Sequence, residues 1–333
     1  MRTLTGPRIL VTGGAGFLGC HLATALAGDP ASDLTVLDNF TRGRDDAELA
    51  ALVARPNVRC LIADVTDPAT YRDLGRFDEV YHLAGIVGVR NVLHRPVDVV
   101  RVNAGGTLRL LEWCCSGGAA RVLFASTSEV YAWTQLFHPL PVPTAEGVPL
   151  ALTDLADPRG TYAGSKIFGE LAVTQACLAA GTPFVIVRYH NVYGPRMGHD
   201  HVIPELYARA RAGERPLAVY SAKHQRAFCY VSDAVDATIA AMRCAGAANR
   251  TINIGNDNEE ITIAKLAELV LEIAGSDADI EPRTAANDPI VRRAPDLTLA
   301  RTLLSYQPRV PLREGLQRTL EYYGAAVQAE VGQ

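Results

Sequence analysis

The sequence has no apolar run of about 18 residues, the length a membrane-spanning helix needs. The segment from Met1 to Pro7 has no signal-peptide core and leads straight into the apolar Arg8–Thr12 run. The expectation is a soluble, cytoplasmic protein that does not enter a membrane. Runs of basic residues are also missing, and the formal net charge is -4 with a pI near 6.1. That leaves no electrostatic footprint for DNA or RNA, so a nucleic-acid partner is not expected. The seven cysteines, Cys20, Cys60, Cys114, Cys115, Cys177, Cys229 and Cys244, are odd in number and form no C-x-x-C pair. Zinc-ligand spacing is absent, so no metal is expected. A disulfide framework is excluded too, and the thiols read as small apolar fillers in a reducing compartment.

What remains is a chain built to bury a large core. Of its 333 residues, 48% are hydrophobic and 20% charged, which suits one large domain or a tightly joined pair. The first half alternates short β-branched runs with helical patterns, as a parallel sheet with crossover helices requires. Strands are expected at Ile9–Val11, Leu34–Asp38, Val58–Ala63, Glu79–Leu83, Arg121–Ser126 and Phe184–Arg188. Helices are expected at Leu18–Ala27 and Val97–Cys115. The four prolines at 139, 141, 143 and 149 make His138–Pro149 an irregular loop. From about Tyr189 the alternation loosens. Turns fall at Gly194-Pro195 and Asp288-Pro289, and helices at Pro204–Ala212 and Ile263–Ala274.

The first strand runs into Thr12-Gly13-Gly14-Ala15-Gly16-Phe17-Leu18-Gly19, a G-x-x-G-x-x-G turn that opens a helix. Its glycines permit a tight turn and let backbone approach a pyrophosphate. The helix N-terminus behind them offers unpaired N–H groups and a partial positive charge. Asp38 ends the second strand where a carboxylate can bind adenosine ribose hydroxyls. Its charge and the following Asn39 favour NAD over NADP, although Arg42 and Arg44 lie close by. Asp64-Val65, after the third strand, is placed to meet an adenine ring, or Asp64 is a turn residue. The fold class is therefore α/β, a Rossmann-type doubly wound parallel sheet with a smaller C-terminal α/β substrate lobe. The NAD-binding domain is expected over residues 1–188, with part of 228–258 returning to it, and the lobe over 189–333.

Tyr162-Ala163-Gly164-Ser165-Lys166 places a phenol and an ammonium four residues apart, on one helix face. Lys166 is expected to lower the phenol's pKa, so that Tyr162 can take a proton from a sugar hydroxyl. The fifth strand leads into Ser126-Thr127-Ser128-Glu129-Val130-Tyr131, at the strand end that faces the crevice. Thr127 is a candidate partner of the reacting hydroxyl. Ser128 and Glu129 are candidates for proton exchange, with an ion pair as the plainer role for Glu129.

Assembled, these pieces resemble the extended short-chain dehydrogenase/reductases that act on nucleotide sugars, the NAD-dependent epimerase/dehydratase family. The likeness continues through H-L-A-G at His82–Gly85, V-N-A-G-G-T at Val102–Thr107 and N-V-Y-G-P-R-M at Asn191–Met197. It extends to Q-R-A-F-C-Y-V-S-D at Gln225–Asp233. It implies cofactor contacts from Gly13, Gly16, Phe17, Leu18, Asp38, Asn39 and Thr41. To these it adds Asp64, Val65, Leu83, Ala84, Thr107, Tyr162, Lys166 and Val192. Asn191, Arg196 and Arg226 are implied at the substrate, and family members pair through the Val97–Cys115 and Tyr162 helices.

Within the family, T-S-E-V-Y, G-P-R-M, N-I-G-N at Asn253–Asn256 and R-R-A-P-D at Arg292–Asp296 resemble UDP-glucuronate decarboxylases. The chain differs from them at Ala132-Trp133, within Asp157–Lys166, where they typically read G-P-R-x-x-Y-D-E-G-K, and at Gly198–Ile203. The implied cycle oxidises carbon 4 of a UDP-hexuronate with Tyr162 as base, releases CO₂ and reprotonates carbon 5. Hydride then returns to carbon 4. Glu129, Ser128 and Arg226 are the candidates near the carboxylate, Arg226 being equally suited to a diphosphate. A 4-epimerase, a 4,6-dehydratase and a nucleotide-sensing protein on the same fold are the alternatives.

Overall fold

The computed structural model describes residues 5–284 and 291–331, so the expected Asp288-Pro289 turn lies outside the described residues. The apolar runs become β1 (Arg8–Thr12), β2 (Asp33–Asp38), β3 (Val58–Ile62), β4 (Glu79–His82), β5 (Val122–Thr127) and β6 (Phe184–Tyr189). With Arg250–Ile254 they form one seven-stranded sheet in the order Arg250–Ile254, β6, β5, β4, β1, β2, β3. Every pairing in it is parallel. Parallel strands covered on both faces bury all their side chains, and β5 is buried at each of its positions. The doubly wound sheet expected from the sequence is therefore present. Its order reverses between β1 and β4, where doubly wound folds bind their ligands.

The flanking helices are α1 (Phe17–Leu26), α2 (Ala47–Val53), α3 (Val89–His94), α4 (Pro96–Val100), α5 (Gly106–Trp113), α6 (Glu129–Ala132) and α7 (Gly160–Ala180). The single helix expected over Val97–Cys115 is interrupted by a wide turn at Arg101–Gly105. The turn faces the buried side chain of Asn103 toward the loop after β4, where it bonds both backbone groups of Ile86. Such wide turns concentrate at functional sites. Helix α7 lies unusually close to β5, because a Cβ at Gly169 would stand 2.4 Å from Phe124 Cζ. It ends at Gly181, in the left-handed conformation (φ 68°) that favours glycine at this position.

The later chain packs helices Val202–Arg211, Ile263–Ala274 and Leu312–Val331 together beside the sheet. Strand Gln225–Ala227 pairs with Glu260–Thr262 and, in parallel, with Arg292–Arg293. The last pairing returns Arg293 to α6, where it meets Glu129. The proline-rich loop is irregular, as expected. It is held by Asn253 Nδ2 donating to Thr144 O and Arg188 Nη1 donating to Glu146 O. Among the described residues, no helix is long and apolar enough to cross a membrane.

Candidate active site

A cleft of about 1230 Å³ opens at the carboxyl ends of the sheet strands. Single small-molecule pockets run to roughly 300–1,000 Å³, so this one has room for a dinucleotide and a second ligand side by side. One wall is the glycine turn. Gly13 has φ 71°, and a Cβ on it would stand 2.7 Å from the Ala84 nitrogen. Only glycine fits there, and it leaves bare backbone facing the N-terminus of α1. Asp38 caps this wall, its carboxylate accepting hydrogen bonds from the N–H groups of Ala15 (3.0 Å) and Phe40 (2.9 Å). Burial raises its pKa and those N–H groups oppose the rise. Both nearby arginines are engaged elsewhere. Arg42 donates to Val87 O across the cleft, and Arg44 to Met197 O. The bare backbone, helix N-terminus and uncontested carboxylate fit an NAD adenosine diphosphate.

Gly13, Gly16, Phe17, Leu18, Asp38, Asn39, Thr41, Val65, Leu83, Ala84, Tyr162, Lys166 and Val192 all line the cleft. Two expected cofactor residues do not. Asp64 instead closes a local turn, accepting from the N–H and hydroxyl of Thr66, and holds Asn39 Nδ2 at 3.0 Å. Thr107 is buried behind the wall, where it meets His82.

That histidine opens the H-L-A-G motif but was not among the expected site residues, and the bonds around it have a fixed direction. Ala84 N–H donates to Thr12 Oγ1, whose hydroxyl donates to His82 Nδ1. His82 Nε2 donates to Thr107 Oγ1, and Thr107 donates to Asn103 O. Burial drives the His82 pKa down to about 3, with Lys166 adding to the fall, so the ring stays neutral. Asn103 Nδ2 then reaches Ser165 Oγ, which donates to Tyr162 O. A continuous polar chain thus ties the cofactor turn to the helix that bears Tyr162.

Lys166 lies buried one turn beyond Tyr162, donating to Ala125 O at 2.7 Å over the Phe124 ring. Burial lowers its pKa to about 8, and Glu170 pulls the other way. The expected lowering of the phenol pKa is not found. Burial pushes Tyr162 up to about 12. Thr127 opposes the rise, Glu129 adds to it, and Arg42 opposes it more weakly. The ammonium's hydrogen bond runs to a backbone carbonyl rather than to the phenol, so desolvation outweighs it. Thr127, Ser128 and Glu129 line the cleft with Tyr162.

On the opposite side, Glu129 Oε1 accepts a hydrogen bond from Arg293 Nη1, an ion pair that joins α6 to the Arg292–Arg293 strand. The R-R-A-P-D motif contains Arg293, but no local spacing pointed it at Glu129. Arg226 also lines the cleft, with Nη1 donating to the Gln225 and Val291 carbonyls. Asn191 lines it too, and its amide donates to Ala227 O. Arg196 lines the cleft as well, with its guanidinium already engaged. Its guanidinium binds the Asp46 carboxylate and the carbonyls of Ala15, Gly16 and Arg44. That commits it to bracing the cofactor turn.

Comparison with known proteins agrees with this geometry. Residues 9–255 match the NAD dependent epimerase/dehydratase family. The chain is 34% identical over 318 residues to UDP-glucuronic acid decarboxylase 1 of Xenopus tropicalis, covering 95% of this chain and 72% of that one. It is 32% identical over 338 residues to UDP-N-acetyl-alpha-D-glucosaminuronate decarboxylase of Bacillus cytotoxicus, covering 95% and 97%. Its fold is similar to UDP-glucuronic acid 4-epimerase of Bacillus cereus, solved with UDP-glucuronic acid and NAD. The TM-score is 0.84 at 27% identity, covering 96% and 99% of the two chains.

Proposed function

The chain belongs to the NAD-dependent epimerase/dehydratase family, and on that premise we propose that it decarboxylates a UDP-hexuronate. It is an NAD-dependent enzyme acting on a nucleotide sugar through a 4-keto intermediate. One observation carries the choice of a uronate substrate, the Glu129–Arg293 pair standing in the same cleft as Tyr162, and the similarity to decarboxylases favours that reaction. A neutral hexose gives a cleft guanidinium no anion to bind, whereas a uronate gives it a carboxylate with matching fork geometry.

Bound NAD supplies the hydride acceptor and, when oxidised, a positive charge that favours a nearby phenolate. Tyr162 takes the proton of the 4-hydroxyl, with Thr127 beside it to hold the oxygen. Lys166, fixed by Ala125 O, keeps a positive charge under the phenol at neutral pH. Once carbon 4 is a ketone, the carbon 5 carboxylate is that of a β-keto acid. Its C–C bond breaks, CO₂ leaves, and the electron pair passes into the ketone. Arg293 orients the carboxylate for this step. Glu129 and Ser128 pass a proton to carbon 5, which restores the carbon 4 ketone. Tyr162 gives its proton back to the carbon 4 oxygen as carbon 4 regains the hydride it gave up.

The similarity to the Bacillus cereus 4-epimerase favours one second reading, in which the keto sugar turns over and keeps its carboxylate. A panel of nucleotide sugars, with products read by mass, separates the two. A product lighter by one CO₂ supports decarboxylation. Unchanged mass with altered NMR couplings refutes it in favour of epimerisation.

We further propose that the enzyme is a homodimer in a reducing cytoplasm. Its seven cysteines are unpaired. Along the stretch expected to pair, Val99 and Leu111 pack inward while Leu108 is exposed. Val97, Val100 and Leu108 instead join Leu171 and Leu178 of α7 as exposed apolar side chains on neighbouring helices. Such a face suits a second copy.

A further inference from the structure

Behind the Glu129–Arg293 pair lies a second cavity of about 10 Å³, lined by Ser128, Tyr131, His190 and Arg293 among others. That is room for one water and nothing larger. Its lining brings together two buried polar atoms with no protein partner, His190 Nδ1 and Arg293 Nε. Buried polar atoms in folded proteins are almost always hydrogen-bonded, to ordered water if not to protein.

The surroundings fix which of the two donates. Asn253 Nδ2 donates to Thr144 O and Asp296 O, so its Oδ1 is the amide's accepting end. That oxygen takes the Tyr131 hydroxyl at 2.8 Å and meets His190 Nε2 at 3.2 Å. Nε2 must therefore carry the imidazole proton. Burial lowers the His190 pKa to about 4, Asn253 opposes the fall, and Arg188 and Arg293 deepen it. The ring is neutral at pH 7, and Nδ1 presents a bare lone pair. Arg293 Nε is always an N–H donor. One residue with an unpartnered donor and one with an unpartnered acceptor thus line a space the size of one water.

We propose that a resident water in this cavity accepts from Arg293 Nε and donates to His190 Nδ1, making His190 a positioning residue for Arg293. With Nη1 on Glu129 and Nε on the water, the guanidinium is held at two points and its plane is fixed. A fixed plane lets an arginine meet a carboxylate with a fork rather than as a loose charge. His190 therefore acts at a distance on discrimination between uronate and neutral sugar. This rests on the hexuronate reading above.

The test measures binding of UDP-glucuronate and UDP-glucose to the NAD holoenzyme by calorimetry, in the wild type, His190→Phe and His190→Gln. Phe fills the ring's space without an acceptor, and Gln offers an amide oxygen to the cavity. His190→Phe is expected to cut the preference for the uronate about tenfold and leave UDP-glucose affinity unchanged. His190→Gln should restore most of the preference. An undiminished preference in folded His190→Phe overturns the proposal, whereas a wild type without any preference removes the hexuronate reading instead. A second arm is independent of substrate. The ¹⁵N spectrum of His190 in the wild-type holoenzyme should show a protonated Nε2 and a hydrogen-bonded, unprotonated Nδ1. A protonated Nδ1, or one with the shift of a bare acceptor, overturns the water bridge whatever the sugar.

Discussion

Replacing Lys166 by methionine should abolish turnover and at the same time stabilise the dinucleotide-free protein at neutral pH. The lysine is buried, and its folded pKa lies near 8 against an ordinary 10.5. That gap corresponds to about 3 kcal/mol of folding free energy lost while both states carry the proton. Methionine fills a similar volume without the charge. It gives up the bond to Ala125 O and the contact over Phe124, which offset about 1–2 kcal/mol. The net gain is about 1–2 kcal/mol. For a chain of this length, about 1.5 °C of melting temperature per kcal/mol makes that about 2–3 °C.

The pH dependence gives the sharper check. Between pH 8 and 10.5 the folded wild type has released the proton while the unfolded chain still binds it. Wild-type stability therefore rises with pH through this window. The advantage of Lys166→Met should be full below pH 8 and shrink toward pH 10. Above pH 10 Tyr162 contributes in the opposite sense, since its folded pKa is about 12. Scanning calorimetry of both proteins from pH 6 to 10 measures the gap. A variant that melts several degrees below wild type at pH 7, with a gap independent of pH, would show that the buried ammonium is a net stabiliser.

Three further outcomes bear on the site. Glu129→Gln keeps the shape but cannot exchange a proton, so bound NADH should build up in single-turnover absorbance traces. Unslowed turnover without build-up would make the residue purely structural. Asp38→Ala should narrow the preference for NAD over NADP measured by titration, and equal affinities in the unmutated protein would refute the ribose role. Asn103→Leu leaves both backbone groups of Ile86 without their partner and takes from Ser165 Oγ the bond it accepts. It should lower stability by about 3 kcal/mol in denaturant titration, and a loss under about 0.5 kcal/mol would show that the wide turn does not depend on that side chain.

The glycine turn, Asp38 and the Tyr162–Lys166 pair were legible because each follows from spacing within one element. A turn that must open a helix, a residue ending a strand and two side chains one helical turn apart need no knowledge of the rest of the chain. Thr107 and Arg196 sit in equally clear motifs, yet the motifs did not announce the protein partners they take, His82 and Asp46. A motif marks a polar residue but not its partner. The Glu129–Arg293 pair shows the limit most clearly, because 164 residues separate its members. The parallel pairing of Arg292–Arg293 with Gln225–Ala227, with the bridge from Thr144 to Pro295, brings them together. His82 left a fainter trace, a polar ring at the end of a buried strand that has to find partners.

Among the places where the sequence differs from the decarboxylases it resembles, Trp133, Asp157, Asp200 and His201 line the cleft. By contrast, the groups that carry the oxidation sit at the end of β5 and on α7, locked by the Gly169 approach and the His82 chain. A rigid sheet edge fixes geometry, and the loops above it are free to change what they recognise. Removal of hydride from carbon 4 is common to decarboxylation and epimerisation, so it belongs to the rigid part. What happens at carbon 5, and on which sugar, belongs to Arg293 and the loops facing it. Substituting Trp133 should therefore shift the choice among UDP-hexuronates while leaving the first half-reaction intact. Single-turnover NADH formation set against product mass reads the two separately. Loss of NADH formation together with the change in substrate would contradict the division.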